Sequence, residues 1–474
     1  MKTFIRYLTI IVLLLTLQLL IGCSHSPTGK YVSQKNPSDY LELRDDGTFF
    51  LNENSFEHTG KYRIDGKTVT MELRSGAPVR GTLDGKTFTD PDGDKWVKQE
   101  KSVARKLPLP VLDDKLRNEL LGYLKQNYRT PEDYVLSKFK DHQIVFIGEL
   151  HRVKHNPELI QRLIPRLYQA GIYNLGIEFG TYRDQSKVDK LINAPVYDEQ
   201  AVRDIMFDWY IPWGFKEYMD IYRAAWEVNH KLPKEAPHFR VVNLNATMDW
   251  SFVKTAADRS NPEVMKKVWP EGESDPFMAG VILKEFGDKG QKALIYSGMH
   301  HAFTRYKEAI VDHGKVIGFG EGRMGNLVYK KLGDRVFTIC LHYPWPDSNW
   351  QDWVYPADGV IDALLYNEPG LRPVGFDLAG TPFGELGGKG SGYEKGYQPF
   401  SLKLFADGYI YTKPISQYQG VTADEKFITT SNFNRAVEQL DDPEDRAGMT
   451  NINTMIEHIK EDAQELPHRC ARFW

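Results

Sequence analysis

An apolar run at Gln143–Ile147, a stretch of helical periodicity over Pro157–Ala170 and a second apolar run at Tyr173–Ile177 follow one another closely. Leu159, Ile160, Leu163, Ile164 and Leu167 fall on one helical face, Pro157 takes an early helical position and Gly171 supplies the stop. Two buried-type strands joined by one helix pack as a right-handed βαβ crossover with the strands parallel. That unit commits this part of the chain to an α/β fold, a largely parallel sheet with flanking helices. Further strands are expected at Arg240–Asn245, Ala293–Ser297 and Val336–Cys340, and further helices at about 199–207, 215–230 and 276–286.

The N-terminal part follows another period. From about residue 27 to 99 the chain reads as a small all-β barrel or meander. Asp46-Gly47, Asp65-Gly66, Asp84-Gly85 and Asp92-Gly93 punctuate alternating runs such as Tyr40–Leu43 and Thr68–Leu73, and each Asp-Gly pair is a two-residue hairpin signal. Gly29-Lys30-Tyr31 recurs as Gly60-Lys61-Tyr62, which points to paired strands of similar design. No chemistry-bearing cluster stands out here, so a spacer or docking role is expected. Residues 100–113 are charged and contain proline, as a linker does, leaving 114–474 for the α/β domain. Its part after about residue 345 reads as loop-rich. The Gly-rich stretch 384–392 lacks the Gly-Lys-Ser/Thr ending of a phosphate loop and is expected to be a mobile surface loop. Leu402–Tyr411 is expected as one more strand and Asn451–Ala463 as a closing helix.

At the start of the chain, Lys2 and Arg6 precede an apolar run, Leu8–Ile21, that ends in Gly22-Cys23. This reads as a secretory signal over residues 1–22, too short for a comfortable membrane span. Leu20-Ile21-Gly22-Cys23 resembles the bacterial lipobox, in which the cysteine is lipidated and becomes the first mature residue. The resemblance implies an exported protein held at the bacterial cell envelope, at an outer membrane or the cell surface, with the membrane as partner through Cys23. Acyl chains contribute about 0.8 kcal/mol per buried CH₂, so multiple acylation anchors firmly. Removing the signal leaves 452 of 474 residues and moves the formal charge from −4 to −6, with both signs interspersed. No basic stripe of the kind nucleic acid requires is present. Cys340 and Cys470 then remain, and one disulfide or two buried thiols are both open.

Two signatures of one kind close apolar runs: Gly148-Glu149-Leu150-His151 and, 150 positions later, Gly298-Met299-His300-His301. Glu178 closes the run between them. If the three strands are parallel, their polar ends meet at one sheet edge, where open α/β sheets place their sites. Glu149 and His151, two apart, point to the same side of an extended segment. Carboxylates and imidazoles gathered in this way suit acid/base catalysis, or a divalent Zn, Mn, Co or Fe ion on His151, Glu178, His301 and His300. His155, four residues after His151, is an added candidate ligand. Tyr343, Trp345, Trp350 and Trp353 form an aromatic patch placed to wall the same cleft.

Phe146–His151, then a helix, then Leu175–Glu178, then Tyr296–His301 resembles the superfamily of erythromycin esterases, ChaN haem-binding lipoproteins and TIKI/TraB proteins. The resemblance covers about residues 140–310. The shared pattern is a Gly-x-x-His, a downstream Glu and a second Gly-x-x-His, matched here by Glu149, His151, Glu178 and His301, with His300 as an extra neighbour. Gln185–Asn245, with Asp208-Trp209-Tyr210 and Trp213-Gly214-Phe215, is most similar to the ChaN branch. Asp275-Pro276-Phe277-Met278-Ala279 is similar to a segment of the esterase branch. That branch carries an Arg where Ser274 stands, and Arg259 or Arg305 are candidates to replace it. The resemblance implies a hydrolase acting on a small molecule or peptide through Glu149, His151, Glu178 and His301, with or without a divalent metal. An alternative it implies is a haem- or iron-binding lipoprotein, with Tyr210 or Tyr218 beside Trp209 and Trp213 as the axial group. A non-catalytic scaffold is the third.

Overall fold

In a computed structural model of the chain, the described residues are 26–473 apart from 38, 54–55, 74–77, 100–105, 313–314, 351 and 471. The signal-like run and Cys23 lie outside them. The chain divides into two compact units, Met1–Val103 and Ala104–Trp474.

The first unit is a closed eight-stranded antiparallel barrel. Its strands are β1 (Gly29–Ser33), β2 (Tyr40–Leu43), β3 (Thr48–Glu53), β4 (Phe56–Asp65), β5 (Thr68–Leu73), β6 (Pro78–Asp84), β7 (Thr87–Thr89) and β8 (Lys95–Lys98). Each pairs with the next, and β8 returns to β1 through Val32 opposite Val97, so the sheet has no open edge. The period-2 pattern turns Tyr31, Leu41, Leu43, Phe49, Val69, Met71, Phe88 and Trp96 inward. Gly66 and Gly85, at φ +59° and +60°, make two-residue turns between β4 and β5 and between β6 and β7. The other two Asp-Gly pairs sit in longer loops. There Asp46 caps the Thr48 amide, and Asp90 accepts from the Asp92 and Asp94 amides and the Trp96 indole. The repeated Gly-Lys-Tyr lies on β1 and β4, which are not neighbours, so it marks similar strands rather than a pair.

The second unit is built on a seven-stranded sheet. Its strands, with two small hairpins, continue the count: β9 (Ile144–Glu149), β10 (Asn174–Thr181), β11 (Arg240–Asn245), β12 (Ala293–Gly298), β13 (Glu308–Asp312), β14 (Lys315–Gly320), β15 (Val336–Leu341), β16 (Trp345–Pro346), β17 (Trp353–Val354), β18 (Val374–Asp377) and β19 (Gly408–Tyr411). The order in the sheet is β11-β10-β12-β9-β15-β19-β18, parallel except for β18. The central strands are apolar throughout because both faces are covered. On one face Val145, Ile147, Leu175, Ile177, Leu294 and Tyr296 pack under the helices His155–Gln169 and Lys216–Asn229. On the other, Ile144, Phe146, Val242, Leu244 and Ile295 pack under Ser274–Ile282 and Met324–Leu332.

Three expectations need correcting. The Gly-rich stretch is packed down, with Leu386, Ser391 and Tyr393 buried and Gly388 against Trp345 and Phe400. Leu402–Tyr411 divides into a helical turn, Leu402–Phe405, and β19. The closing helix runs Ile452–Cys470. Cys340 and Cys470 are both buried free thiols. Among the described residues no helix is long and apolar enough to cross a membrane.

The helix His155–Gln169 buries Leu163 completely against the sheet. Leu163→Ala should lower the stability of the full chain by about 2–5 kcal/mol in urea unfolding; a loss under 1 kcal/mol would contradict this packing.

Candidate functional site

Glu149 and Gly298 end the adjacent strands β9 and β12 in register with each other, whereas Glu178 lies inside the neighbouring β10, which runs on to Thr181 instead of ending at Ile177 as expected. Strand alternation assigns the two carboxylates to opposite faces of the sheet. Glu149 shares the face of Ile147 and Tyr296, whereas Glu178 lies opposite Ile177 and Phe179. Each face supplies its own partners.

Glu149 is fully buried and accepts from the Tyr218 hydroxyl at 2.6 Å, from the Tyr296 hydroxyl and from His151 Nδ1 at 3.0 Å. Burial pushes its carboxyl pKa up, against the pull of His151 and the two phenols. The contact at Nδ1 orients the ring and leaves His151 Nε2 free to accept a proton, in a side chain 37% exposed. The ring is also held edge-on by Trp213 at 5.1 Å and Phe179 at 5.6 Å. Tyr218 accepts from the Arg152 amide, so its hydroxyl is bonded on both sides. Arg152 itself adopts φ +66°, a left-handed conformation that costs a non-glycine residue energy and is retained where the surroundings enforce it.

On the other face, Glu178 Oε2 accepts from the Gly298 amide at 2.7 Å, and Oε1 lies 3.4 Å from His301 Nε2. His301 Nδ1 meets Asp275 Oδ1 at 2.7 Å. Burial disfavours a charged His301, but the Glu178 and Asp275 carboxylates outweigh it and hold the pKa up to about 9. His301 is therefore an imidazolium at neutral pH. Asp275 also accepts from the Met324 amide and Arg323 Nη1, and these contacts keep it ionised despite its burial. Arg323 continues to Glu308, whose other oxygen meets His300 Nδ1 at 3.0 Å.

The two pairs meet above Gly298. A Cβ there would lie 2.7 Å from His151 Cε1 and Nε2 and 3.6 Å from Glu178 Oε2. The missing side chain lets the His151 ring edge pack directly on the backbone at Gly298, where it converges with the Glu178 carboxylate and the imidazolium behind it.

The structure thus gathers Glu149, His151, Glu178 and His301. It sets His300 apart, with Nε2 on the Tyr393 hydroxyl at 2.9 Å and the half-exposed Trp350 ring at 6.0 Å. Of the aromatic patch, Tyr343 and Trp345 are buried, and Trp353 is half-buried beside Arg469. His155 is buried, has neither ring nitrogen bonded among the described residues, and is pushed down to about 3 by burial. Arg259 bonds the Asp441 carbonyl and Arg305 pairs with Asp407; the guanidinium beside Asp275 is that of Arg323. Sequence reasoning missed Arg323, Tyr296 as a holder of Glu149, and the role of Asp275. The first two carry no local motif.

A divalent ion does not fit this arrangement. Both His301 nitrogens face carboxylates, His300 is engaged elsewhere, and no three of the named residues bring ligand atoms within 4.8 Å of one another. Haem ligation by the named tyrosines does not fit either. Tyr218 is buried on Glu149, and the Tyr210 hydroxyl donates to Asp441 at 3.0 Å.

No family model matches the chain, and no curated protein matches it. Similar solved structures include a Bacillus cereus protein at 11% identity, covering 66% of this chain and 100% of that one, TM-score 0.40. A mutant of the erythromycin esterase EreC in its open conformation shares 11% identity over 69% of this chain and 99% of that one, TM-score 0.37. ChaN of Campylobacter jejuni, described for cofacial haem binding, shares 15% over 46% and 88%, TM-score 0.30. These likenesses are distant, and nothing about this chain's activity follows from them.

A raised histidine pKa stabilises the fold fully below the unfolded value of 6.5, and the contribution is lost as pH rises through about 9. Urea midpoints of the wild type should fall across that window. Asp275→Asn should flatten the fall; an unchanged slope would contradict the charge assigned to His301.

Proposed function

We propose that the protein is a hydrolase of esters or peptide-like amides, working by acid/base catalysis at the edge of the sheet. The observation that carries this is the convergence at Gly298 of His151, oriented through Nδ1 by Glu149, with Glu178 and the His301 imidazolium behind it. A water held between His151 Nε2 and Glu178 Oε2 gives its proton to His151 as it attacks a carbonyl carbon. Glu149, already bonded to Nδ1, stabilises the imidazolium that forms. The His301 imidazolium, whose 3.4 Å contact with Glu178 is long for a hydrogen bond, offers its Nε2 proton to the developing oxyanion or leaving group. Arg323 and Asp275 position that ring and do not touch the substrate. The His151 side chain is 37% exposed, so a small molecule or a peptide segment can reach its ring.

The same proposal places the protein at the bacterial envelope, anchored through lipidated Cys23. It is supported by the basic start, the apolar run and the lipobox-like Leu20–Cys23. An exported, tethered hydrolase acts on substrates that arrive at the envelope.

Purified protein should be assayed against 4-nitrophenyl esters and aminoacyl 4-nitroanilides. His151→Ala and Glu178→Gln should each lower kcat/KM by roughly 10²–10⁴-fold with the unfolding midpoint kept. Gly298→Ala, whose Cβ would displace the His151 ring, should act like His151→Ala. Turnover that survives His151→Ala unchanged would overturn the proposal.

A further inference from the structure

Arg152 follows His151 directly in the chain, and its side chain shares the same aromatic support. Phe179 stacks on one face of the Trp213 ring, at 5.6 Å and 11°, and the His151 ring stands perpendicular to both. The Arg152 guanidinium lies over Trp213 at 5.4 Å, on the face that Phe179 leaves open. His151 is 5.1 Å from that same indole, so the positive charge stays within the length of a small substrate from the proposed base.

The backbone fixes this placement. Arg152 has φ +66°, its amide donates to the Tyr218 hydroxyl that supports Glu149, and its carbonyl accepts from the Val421 amide. The guanidinium, by contrast, makes no hydrogen bond among the described residues. Asp462 lies 3.4 Å from Nη2, an ion pair without hydrogen-bond alignment. Nε is enclosed, whereas the two terminal nitrogens are not, in a side chain 26% exposed. A guanidinium offers five donors in a planar fork that matches a carboxylate. Arg323, which serves the framework, spends its fork on Asp275 and Glu308. Arg152 leaves its fork open beside the base.

We propose that Arg152 selects the substrate, and that the preferred class carries a carboxylate just beyond the scissile bond, as an N-acyl amino acid does. This rests on the hydrolase reading. With the scissile carbonyl at His151 Nε2, the carboxylate of the leaving amino acid meets the terminal nitrogens of Arg152, and Asp462 remains the outer counterion. Cleavage of the amide by one water gives the acyl carboxylate and the free amino acid. The indole beneath the guanidinium holds it in place and keeps water from that side.

The test separates the side chain from its strained backbone. Arg152→Gly permits φ +66° and removes the charge, whereas Arg152→Lys keeps a charge and loses the fork. Hydrolysis of N-benzoylglycine and of its neutral counterpart, N-benzoylglycinamide, is followed by release of the amine. The wild type should favour the acid by roughly tenfold in kcat/KM, mainly through KM. Arg152→Gly should abolish that preference and Arg152→Lys should retain part of it. Binding is read separately by calorimetry on His151→Ala, which keeps the guanidinium and needs no turnover. There the acid should bind saturably and the amide roughly fivefold more weakly, and adding Arg152→Gly should close the gap. Failure of the hydrolase reading alone would leave this binding difference in place. No saturable binding of the acid, equal affinities for acid and amide, or a preference that survives Arg152→Gly would overturn the assignment.

Discussion

One imidazolium between two buried carboxylates, His301 between Glu178 and Asp275, holds the edge of the sheet together. Glu178 belongs to β10, Asp275 to a helix on one face, and His301 to the turn after β12, so the charge ties three separate chain segments to one point. Removing such a partner strands the remaining charges in a poorly solvated place, which is why the arrangement is unforgiving. On the opposite face, Glu149 depends on two phenols and an imidazole in the same way.

The parity of the strands explains why one edge carries two unlike histidines. Glu149 and Glu178 point to opposite faces, and each histidine meets the carboxylates of its own face. His151 meets one carboxylate and remains half-exposed, with a free nitrogen. His301 meets two and stays protonated. Two histidines in unlike carboxylate surroundings thus sit on either side of a glycine. The same bonds occupy the atoms a metal ion or a haem iron would need.

The fold of the second unit was legible because it rests on periodicity. The apolar runs of β9 to β12 and the Leu159–Leu167 face are local patterns that burial confirms directly. The barrel was legible from its alternation, although Asp46-Gly47 and Asp92-Gly93 turned out to cap longer loops, a distinction set by strand register and not by the dipeptide. Within the site, Glu149, His151, Glu178 and His301 could be read because each lies at or just past the end of an apolar run, although β10 continues beyond Glu178 to Thr181. Arg323 could not, since it comes from the start of a helix after the β13–β14 hairpin and reaches Asp275 only through tertiary packing. Tyr218 was noticed as an aromatic, but its role as the second support of Glu149 depends on helix Lys216–Asn229 crossing the strand end. The loop-rich region misled for a related reason: glycines that suggest mobility here allow close approach to Trp345 and Phe400.

The charge held on His301 and the ring orientation of His151 can be observed directly by 15N NMR of the imidazole nitrogens across pH 6–10. His301 should carry protons on both nitrogens until about pH 9, while the neutral form of His151 should carry its proton on Nδ1, against Glu149. A His301 that titrates near 6.5, or a His151 protonated at Nε2 with Nδ1 bare, would contradict the account.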